Sequence, residues 1–311
     1  MSILFSCNSE FFQFGSWMKG ELGVDTTSKL LVGPFIGEGK SYGLTQTLEH
    51  PVNLNQAPSE FVEFTKEEYL KQLSEIISRI NKGTMQKLVF SRRKFLALED
   101  PQVERLKSLV AEERPKKFSY KLYNQETRDF WFGASPEVLI SRNRDEFVSH
   151  SLAGTAQNPQ QFSDKEKKEH QYVTDYIVKS LKLNREDHTL PRPKQFGNLW
   201  HLFSEISWRG NQPLINYVNA IHPTPAVCGI PVSESAAFIS ENEKSPRDLY
   251  TGYIGIDDTQ RSSVYVNLRC AQLFKNGILL YAGGGITKDS DPEAEYRETE
   301  LKMEAILTDL L

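Results

Sequence analysis

The feature that most constrains the fold is the irregular order of strand-like and helix-like segments along the chain. The clearest strand-like runs are MQKLVFSRRKFLAL from Met85, SSVYVNLRCAQLF from Ser262 and GILLYAG from Gly277. Other strand-like runs are KLLVGPFIG, KFSYKLYN, DFWFGAS and EVLISRN. These runs do not alternate with helices in the regular βαβ units that build a parallel sheet. The pattern therefore predicts an α+β fold.

Three segments have the pattern of amphipathic helices. The first follows Thr65 and Glu68, which form a capping-box signature, and we expect it to end before Gly83. The second covers residues 163–181 and the third covers residues 291–307. At about 100° of rotation per residue, several charged side chains of the last two helices fall within the apolar stripe.

These misplaced charges are the strongest functional signal in the chain. They are Glu166, Glu169 and His170 in the second helix and Glu295, Glu298 and Lys302 in the third. A buried charge without a partner costs several kcal/mol. Ordinary explanations exist, namely a capping box at the start of the second helix and a Glu/Lys pair in the third. Alternatively, two facing Glu-x-x-Glu pairs would bring four carboxylates together, and such oxygen ligands suit Mg²⁺.

Composition limits the class of protein and of partner. The chain has 311 residues, of which 39% are hydrophobic, and a net charge of −4, so nucleic acid is an unfavourable partner. Its three cysteines are far apart, which predicts neither a disulfide framework nor a zinc site. We find no segment of roughly 18 apolar residues and no signal-peptide pattern. These features predict a cytoplasmic protein with a small-molecule partner and no membrane contact.

Residues 1–58 are rich in glycine and contain only short strand-like runs. We expect them to form a reduced N-terminal lobe within the same globular unit as residues 59–311. In the second region, Lys87 and Arg269 each lie on the more polar side of a strand, so each faces either water or a polar cavity. Residues 283–285 are three glycines before the third helix, and they would let backbone N–H groups approach an anion.

Ten short motifs occur in a fixed order between Glu60 and Leu311. They are KLVFSR (87–92), SPE (135–137), SLAGTA (151–156), KEKKEH (165–170), HLFS (201–204), HPTPAVCGIP (222–231), LYTGYIG (249–255), LRCA (268–271), YAGGGI (281–286) and DPEAEYRETELK (291–302). Together they resemble the chorismate-utilising enzymes, most closely the isochorismate synthase branch. The resemblance implies large antiparallel-rich sheets in a two-lobed core with helices outside, and a chorismate-binding catalytic domain at residues 59–311.

The resemblance also implies a metal site. In that family, glutamates at the positions of Glu166, Glu169, Glu295 and Glu298 hold or surround Mg²⁺, which bridges to the ring carboxylate of chorismate. A lysine at the position of Lys302 orders these carboxylates. By this interpretation, the inward charges form a cation site that is complete only when substrate is bound.

Two further residues imply the reaction. Anthranilate synthases have Gln where this chain has Lys87, and aminodeoxychorismate synthases have PIKGT where this chain has SLAGT. Lys87 is therefore implied to be a general base that activates water at C2 of chorismate. Glu137 is implied to be the general acid that protonates the departing C4 hydroxyl, which requires a pKa above the usual value of about 4.3.

Other residues carry over as substrate contacts. Arg269 and Tyr250 are implied to bind the enolpyruvyl carboxylate, for which a guanidinium is well suited. The remaining implied contacts are Gly154 and Thr155 at the ring, His201, and Gly283 and Gly285 through backbone donors. His201 has a structural alternative as a packed side chain, and His222 is interpreted as structural. Gln157, Asn158 and Gly284 depart from the residues usual in the family, and we expect no contact between them and an implied ligand.

Alternatives to isochorismate synthase remain open. A salicylate synthase would share the same apparatus and then eliminate pyruvate; Ala156, where those enzymes tend to have Arg, favours the isochorismate branch. An anthranilate- or aminodeoxychorismate-type enzyme and a non-catalytic chorismate binder are less favoured. We expect a monomer without a glutaminase subunit. Menaquinone and siderophore synthesis both begin with isochorismate, so the pathway stays open.

Overall fold

The computed structural model of the protein describes residues 1–9, 12–47, 52–108, 118–156, 158–160, 162–184, 187–196 and 199–310. Within these ranges the chain forms a 16-stranded sheet with six helices. All the strand pairs found there are antiparallel. The prediction of an α+β fold rich in antiparallel sheet is therefore confirmed.

The strands are β1 (Ser2–Asn8), β2 (Gln13–Leu22), β3 (Ser28–Gly33), β4 (Lys40–Gln46), β5 (Lys87–Ala97), β6 (Phe118–Asn124), β7 (Phe130–Ser135), β8 (Val138–Asn143), β9 (Glu146–Ala156), β10 (Arg192–Phe196), β11 (Leu199–Arg209), β12 (Gly229–Ile230), β13 (Tyr253–Asp258), β14 (Arg261–Val266), β15 (Cys270–Phe274) and β16 (Gly277–Ile286). The helices are α1 (Lys66–Asn81), α2 (Asp100–Ser108), α3 (Asp164–Ser180), α4 (Leu214–Ile221), α5 (Val232–Asn242) and α6 (Pro292–Leu310).

The N-terminal strands lie in the middle of the sheet. The strand order is β10-β11-β9-β8-β14-β13-β3-β4-β2-β1-β6-β7-β15-β16-β5-β12. β3 pairs with β13 and β1 pairs with β6, so β1–β4 connect the two groups of later strands. The proposed domain boundary at residue 58 stays a prediction.

Helix α1 begins and ends where local signals predict. The Thr65 hydroxyl accepts a hydrogen bond from the Glu68 backbone, and the Glu68 carboxylate accepts one from the Thr65 backbone. This reciprocal capping satisfies two N–H groups that have no partner within the helix. After Asn81 the chain turns at Gly83, whose φ of +81° is a left-handed conformation that glycine adopts without strain.

Helix α6 packs on the sheet through part of its apolar side. Thr299, Met303 and Ile306 are buried, whereas Leu301 is 64% exposed. The buried stripe is thus rotated away from the glutamates. Glu298 and Lys302 therefore lie on an exposed polar stripe beside the buried one, and the prediction that they point toward the core is wrong.

Two strand predictions also need correction. The run from Ser262 is not one strand: it breaks at residues 267–269 into β14 and β15, which lie in distant parts of the sheet. Arg269 occupies this break with a φ of +46°. The strand predicted at GILLYAG is longer than expected, because β16 continues through the glycines at residues 283–285, which pair with β5.

Candidate active site

Lys87 begins β5 and is only 6% exposed, so its side chain faces the protein interior rather than solvent. Its Nζ donates a hydrogen bond to Oε1 of Glu169 on α3, at 2.6 Å. A Cβ built on Gly285 would lie 3.0 Å from Cε of Lys87. The glycine therefore leaves room for the lysine, and the lysine joins β5 to α3.

Glu137 lies in the short link between β7 and β8. Its backbone carbonyl accepts a hydrogen bond from the N–H of Val266, at 3.0 Å. Burial of the carboxyl group raises the pKa of Glu137 from 4.5 to about 7, and the positive charge of Lys87 opposes part of this rise. The two predicted catalytic residues therefore act on each other electrostatically, and Glu137 keeps a protonated fraction near neutral pH.

His201 on β11 is half-buried and lies among the charges of the predicted site. Burial is the main cause of its lowered pKa, with the positive charges of Lys302 and Arg269 acting in the same direction. The charges of Glu169 and Glu298 oppose the shift. Residues from α3, α6 and the β14–β15 link therefore lie within electrostatic reach of one imidazole.

A β-bulge places Gly154 against α3. The ladder between β9 and β11 pairs Ala153 with Leu202 and Thr155 with His201, so Gly154 is left without a partner. Its φ is +73°, and a Cβ there would lie 2.8 Å from the backbone oxygen of Glu166. Only glycine allows this approach. The backbone of Thr155 lies opposite His201, while its side chain is outside the described part of the structure.

The strand β16 connects the polar stripe of α6 to Tyr250. Nζ of Lys302 donates a hydrogen bond to the carbonyl of Gly283, at 2.8 Å. The backbone of Gly283 also hydrogen-bonds to the hydroxyl of Tyr250, whose pKa is raised by burial. The Tyr250 ring stacks on Tyr281, with centroids 5.5 Å apart. Tyr250 and Gly283, predicted separately as substrate contacts, therefore contact each other.

Glu295 lies over the middle glycine of β16. Its Oε1 accepts a hydrogen bond from the Ser290 hydroxyl at 2.7 Å. A Cβ built on Gly284 would lie 2.7 Å from its Oε2. Glycine at position 284 therefore leaves room for the Glu295 carboxylate, which a larger residue would crowd.

The four predicted metal ligands lie in this region, and each contacts a different neighbour. The Glu166 carboxylate accepts hydrogen bonds from the backbone and hydroxyl of Ser163 at 2.8 and 2.6 Å, as a capping residue would. Glu298 pairs with Lys302 at 2.7 Å. Within the described ranges, no three His, Cys, Asp or Glu side chains form a group that could hold a metal ion. The described structure therefore does not gather the four carboxylates into a coordination group.

A cavity of about 510 Å³ opens beside the Lys87–Glu169 pair. It is also lined by Met85, Tyr172 and Ile230. Of the predicted site residues, only Lys87 and Glu169 line it. The ion pair therefore forms part of the cavity wall.

Two ion pairs near the site have no counterpart among the predicted residues. Arg92 on β5 contacts Glu300 of α6, which the helical pattern places on the solvent side, and donates to the hydroxyl of Thr299 at 2.8 Å. Arg247 and Glu243 form a buried pair at 2.6 Å. Their spacing of four residues is a weak local signal, and their burial depends on strands far away in sequence.

His222 has the structural role that its motif predicts. Its Nε2 lies 3.2 Å from the carbonyl oxygen of Pro34, and its ring packs edge-on against Tyr253. Burial lowers its pKa to about 4, so it is neutral at physiological pH. It packs the chain turn against the sheet.

A family model described as "Chorismate binding enzyme" matches residues 40–311, which include every site residue discussed above. The chain belongs to the chorismate-binding enzyme family. The family resemblance of the ten motifs is thereby confirmed, and with it the prediction that the protein is an enzyme.

Relatives in this family carry similar names. The chain is 30% identical over 266 residues to isochorismate synthase DhbC of Bacillus subtilis, covering 78% of this chain and 67% of that protein. It is 32% identical over 256 residues to the putative isochorismate synthase MenF of Mycobacterium tuberculosis, covering 73% and 68%.

Solved structures of the family have the same fold. A putative 2,3-dihydroxybenzoate-specific isochorismate synthase, DhbC from Bacillus anthracis, aligns with a TM-score of 0.74 over 98% of this chain and 95% of that chain, at 22% identity. MenF from Escherichia coli, the menaquinone-specific isochorismate synthase, aligns with a TM-score of 0.75 over 99% and 89%, at 20% identity. Within the described ranges, no helix is both long and apolar enough to cross a membrane.

Proposed function

We propose that this protein is an isochorismate synthase, an isomerase that converts chorismate to isochorismate. The proposal is carried by one observation, namely that a buried lysine and a glutamic acid with a pKa raised to about 7 act on each other in a single site. The relatives at 30 and 32% identity support it through their names. Water attack on chorismate requires such a base and acid.

Glu137 acts as the general acid. Hydroxide is a poor leaving group, so the C4 oxygen must receive a proton as its bond to carbon breaks. Because burial raises the pKa of Glu137 to about 7, the carboxyl group has a proton to donate near neutral pH. The C4 hydroxyl then leaves as water, and Glu137 becomes the carboxylate.

Lys87 acts as the general base. The attacking water forms a new C–O bond at C2, the ring double bonds shift toward C4, and the amine takes the proton that the water loses. The products are isochorismate, water and a protonated lysine, so atoms and charge balance with the carboxylate left on Glu137. In the ion pair with Glu169, at 2.6 Å, Lys87 is protonated, so it becomes the base after it leaves this pair and gives up that proton.

Arg269 and Tyr250 bind the enolpyruvyl carboxylate. The Arg269 side chain is exposed and forms no ion pair with another described residue, so its guanidinium is available to an anionic ligand. Tyr250 is buried beside Gly283. His201, Gly154 and Thr155 are the other proposed substrate contacts.

We further infer that Glu166, Glu169, Glu295 and Glu298 hold Mg²⁺. Their donor chemistry fits, because all four supply carboxylate oxygens, and the side chains of Glu169 and Glu298 are 22% and 52% exposed. When bound, Mg²⁺ would supply positive charge that neutralises the substrate carboxylate beside these glutamates. Lys302, bridged to both Glu298 and Gly283, orients Glu298 toward β16.

The deciding experiment is incubation of purified protein with chorismate and Mg²⁺, followed by chromatography and a lactate dehydrogenase assay for pyruvate. We expect a reversible mixture of chorismate and isochorismate, approached from either direction, with little pyruvate. Pyruvate released in step with chorismate consumption, together with salicylate, would identify a salicylate synthase. An amino product that depends on ammonium would instead place the protein in the anthranilate or aminodeoxychorismate branch.

Several finer expectations stay predictions. The side chain of Ala156, which favours isochorismate over salicylate formation, is outside the described part of the structure. The following also stay predictions: a monomer without a glutaminase subunit, a cytoplasmic location, and a role in menaquinone or siderophore synthesis.

A further inference from the structure

Strand β5, which begins with Lys87, has a neighbouring strand along only part of one edge. On one side β16 pairs with it from Leu88 to Ala97. On the other side β12 contributes only two residues, opposite Lys87 and Leu88. The N–H of Val89 still donates to the carbonyl of Cys228 at 2.8 Å. Beyond that point the buried edge needs other partners for its backbone groups.

The side chains of Glu243 and Arg247 supply these partners. Oε1 of Glu243 accepts a hydrogen bond from the N–H of Ser91 at 2.7 Å. Nη2 of Arg247 donates to the carbonyl of Val89 at 2.7 Å. The Glu243–Arg247 ion pair therefore takes the place of a neighbouring strand for the carbonyl of Val89 and the N–H of Ser91.

The Arg247 guanidinium uses its remaining donors to bind the chain on either side. Nη1 donates to the carbonyl of Val227 at 2.8 Å and to the hydroxyl of Thr251 at 3.2 Å. Nε donates to Oε2 of Glu243 at 2.9 Å. The side chains of Arg247 and Glu243 are 2% and 5% exposed. A guanidinium has five N–H donors in a planar fork, and no other side chain could satisfy this set of acceptors.

The same arginine begins the turn that contains Tyr250. The N–H of Tyr250 donates to the Arg247 carbonyl at 2.8 Å, and the Thr251 hydroxyl donates to the Tyr250 carbonyl at 2.6 Å. Asp248 and Thr251 have φ values of +49° and +57°, which are strained for residues other than glycine. The turn persists because the surrounding contacts hold it in this conformation.

Asn267 extends these contacts toward Arg269. Its side-chain amide donates to the carbonyl of Leu249 at 2.8 Å, and its backbone carbonyl accepts from the N–H of Thr251 at 2.9 Å. Arg269 follows two residues later. Buried hydrogen bonds with Arg247 at their centre thus join Val89 of β5, the Tyr250 turn and Asn267. Lys87 lies two residues before Val89, and Arg269 lies two residues after Asn267.

We propose that Arg247, oriented by Glu243, is a positioning residue that holds the strand of Lys87 in register with the Tyr250 turn. This inference rests on the proposed function, in which Lys87 acts on the ring while Tyr250 and Arg269 hold the enolpyruvyl carboxylate. Neither Arg247 nor Glu243 touches the substrate. Their role is to keep the base and the carboxylate-binding residues at the correct separation.

The test compares Arg247→Lys with Arg209→Lys in steady-state assays of isochorismate formation. Lysine keeps the charge beside Glu243 but cannot reach the carbonyls of Val89 and Val227 together. Arg209 is a matched control, because it pairs with Glu146 at 2.7 Å with its side chain 74% exposed. We expect kcat/KM of Arg247→Lys to fall at least about tenfold, with a clear rise in KM, and that of the control to change less than about twofold.

The rise in KM separates positioning from simple instability. A smaller folded fraction would lower the apparent kcat in proportion and leave KM unchanged. Hydrogen exchange at residues 87–93 and 247–252 gives a readout that does not depend on activity, and we expect faster exchange in both segments of Arg247→Lys only. Glu243→Gln, which keeps an oxygen for the Ser91 N–H but loses the charge that orients Arg247, should show the same pattern more weakly.

An Arg247→Lys protein with unchanged KM and kcat per folded molecule would overturn the inference while leaving the proposed function intact. If that variant does not fold, unchanged KM in Glu243→Gln would overturn it equally. If neither variant folds, Arg247 serves stability alone and the positioning role is rejected. A wild-type protein that makes no isochorismate would instead reject the proposed function, and the two failures are thereby distinguished.

Discussion

Two of the ion pairs that contact strand β5 differ in how completely their partners are bound. Lys87 and Glu169 meet at 2.6 Å in the wall of a cavity, with side chains 8% and 22% exposed. Arg247 and Glu243 also meet at 2.6 Å, but their side chains are 2% and 5% exposed and they bind three backbone groups as well, those of Ser91, Val227 and Val89.

The difference separates a pair that can exchange partners from a pair that cannot. Lys87 can leave Glu169 without exposing a buried charge to an apolar environment, because the cavity beside it gives access to water or substrate. Arg247 cannot leave Glu243 without breaking its hydrogen bonds to the carbonyls of Val89 and Val227. We therefore expect changes at the first pair to alter chemistry and changes at the second to alter geometry and stability.

Removal of Mg²⁺ should have the largest effect, and it should act on the exchangeable pair alone. Glu169 is a proposed metal ligand and Glu243 is not, so EDTA should abolish activity while leaving the Arg247–Glu243 contacts in place. Activity with and without added Mg²⁺ measures the first part, and hydrogen exchange at Ser91 measures the second. Full turnover in the presence of EDTA would show that the four glutamates do not serve a metal.

A variant sharpens the metal prediction. Glu298→Gln should raise the Mg²⁺ concentration required for half-maximal activity by about tenfold, because one charged oxygen donor is lost. An unchanged requirement would show that the exposed stripe of α6 does not contribute to the site.

Loss of the base should come next in size. Lys87→Ala should leave a folded protein with turnover lower by about two or more orders of magnitude, the range expected for general acid–base catalysis. Lys19→Ala is a control, because Lys19 is a strand lysine that pairs with Glu21 on the protein surface. Chromatography of the products gives turnover, and circular dichroism gives the folded fraction. Near-normal turnover of Lys87→Ala would contradict the mechanism and make its ion pair structural, like that of Arg247.

The raised pKa of Glu137 predicts that the wild-type protein becomes less stable to unfolding as pH rises, an effect smaller than the loss of turnover in Lys87→Ala. Between pH 4.5 and about 7 the unfolded protein loses the Glu137 proton while the folded protein keeps it. The wild type therefore loses stability relative to Glu137→Gln as pH rises, by at most about 3 kcal/mol above pH 7. Below pH 4.5 both forms are neutral and the difference is constant.

Urea unfolding of both proteins at pH 5 and pH 8 measures this difference. The charge of Lys87, one member of the first ion pair, lowers the pKa of Glu137. In a Lys87→Ala background the pKa of Glu137 should rise further. If the difference in free energy of unfolding between Glu137→Gln and the wild type does not depend on pH, burial does not hold the carboxyl group protonated.

The smallest expected effect is that of Gly284→Ala. The new Cβ would lie 2.7 Å from Oε2 of Glu295, so this carboxylate must rotate while the strand stays in place. Rotation of an accessible side chain costs about 1 kcal/mol, so kcat/KM should change by roughly fivefold or less, chiefly through the Mg²⁺ requirement. A loss as large as that of Lys87→Ala would mean that β16 itself shifts.

Local patterns were sufficient to predict three of the six described helices and the family. The capping box of Thr65 and Glu68 placed the start of α1, and α3 and α6 begin within one residue of the predicted segments. Short-range hydrogen bonds and side-chain periodicity decide such features, so they can be read from neighbouring residues. The ordered motifs identified the family in the same way, because they can be recognised without knowing which strands pair.

The tertiary structure decided how these elements meet. The strands on either side of Arg269 separate into distant parts of the sheet, and Leu301 of α6 is exposed while Met303 and Ile306 are buried. Glu169 binds Lys87, 82 positions away along the chain, and Glu243 binds Ser91, 152 positions away. Helical periodicity shows that a helix has faces, but the partner of each face depends on strands that pair over long distances. For that reason the sequence alone led to the proposed chemistry of the site, whereas the contacts between the Arg247–Glu243 pair and β5 became visible only in the folded chain.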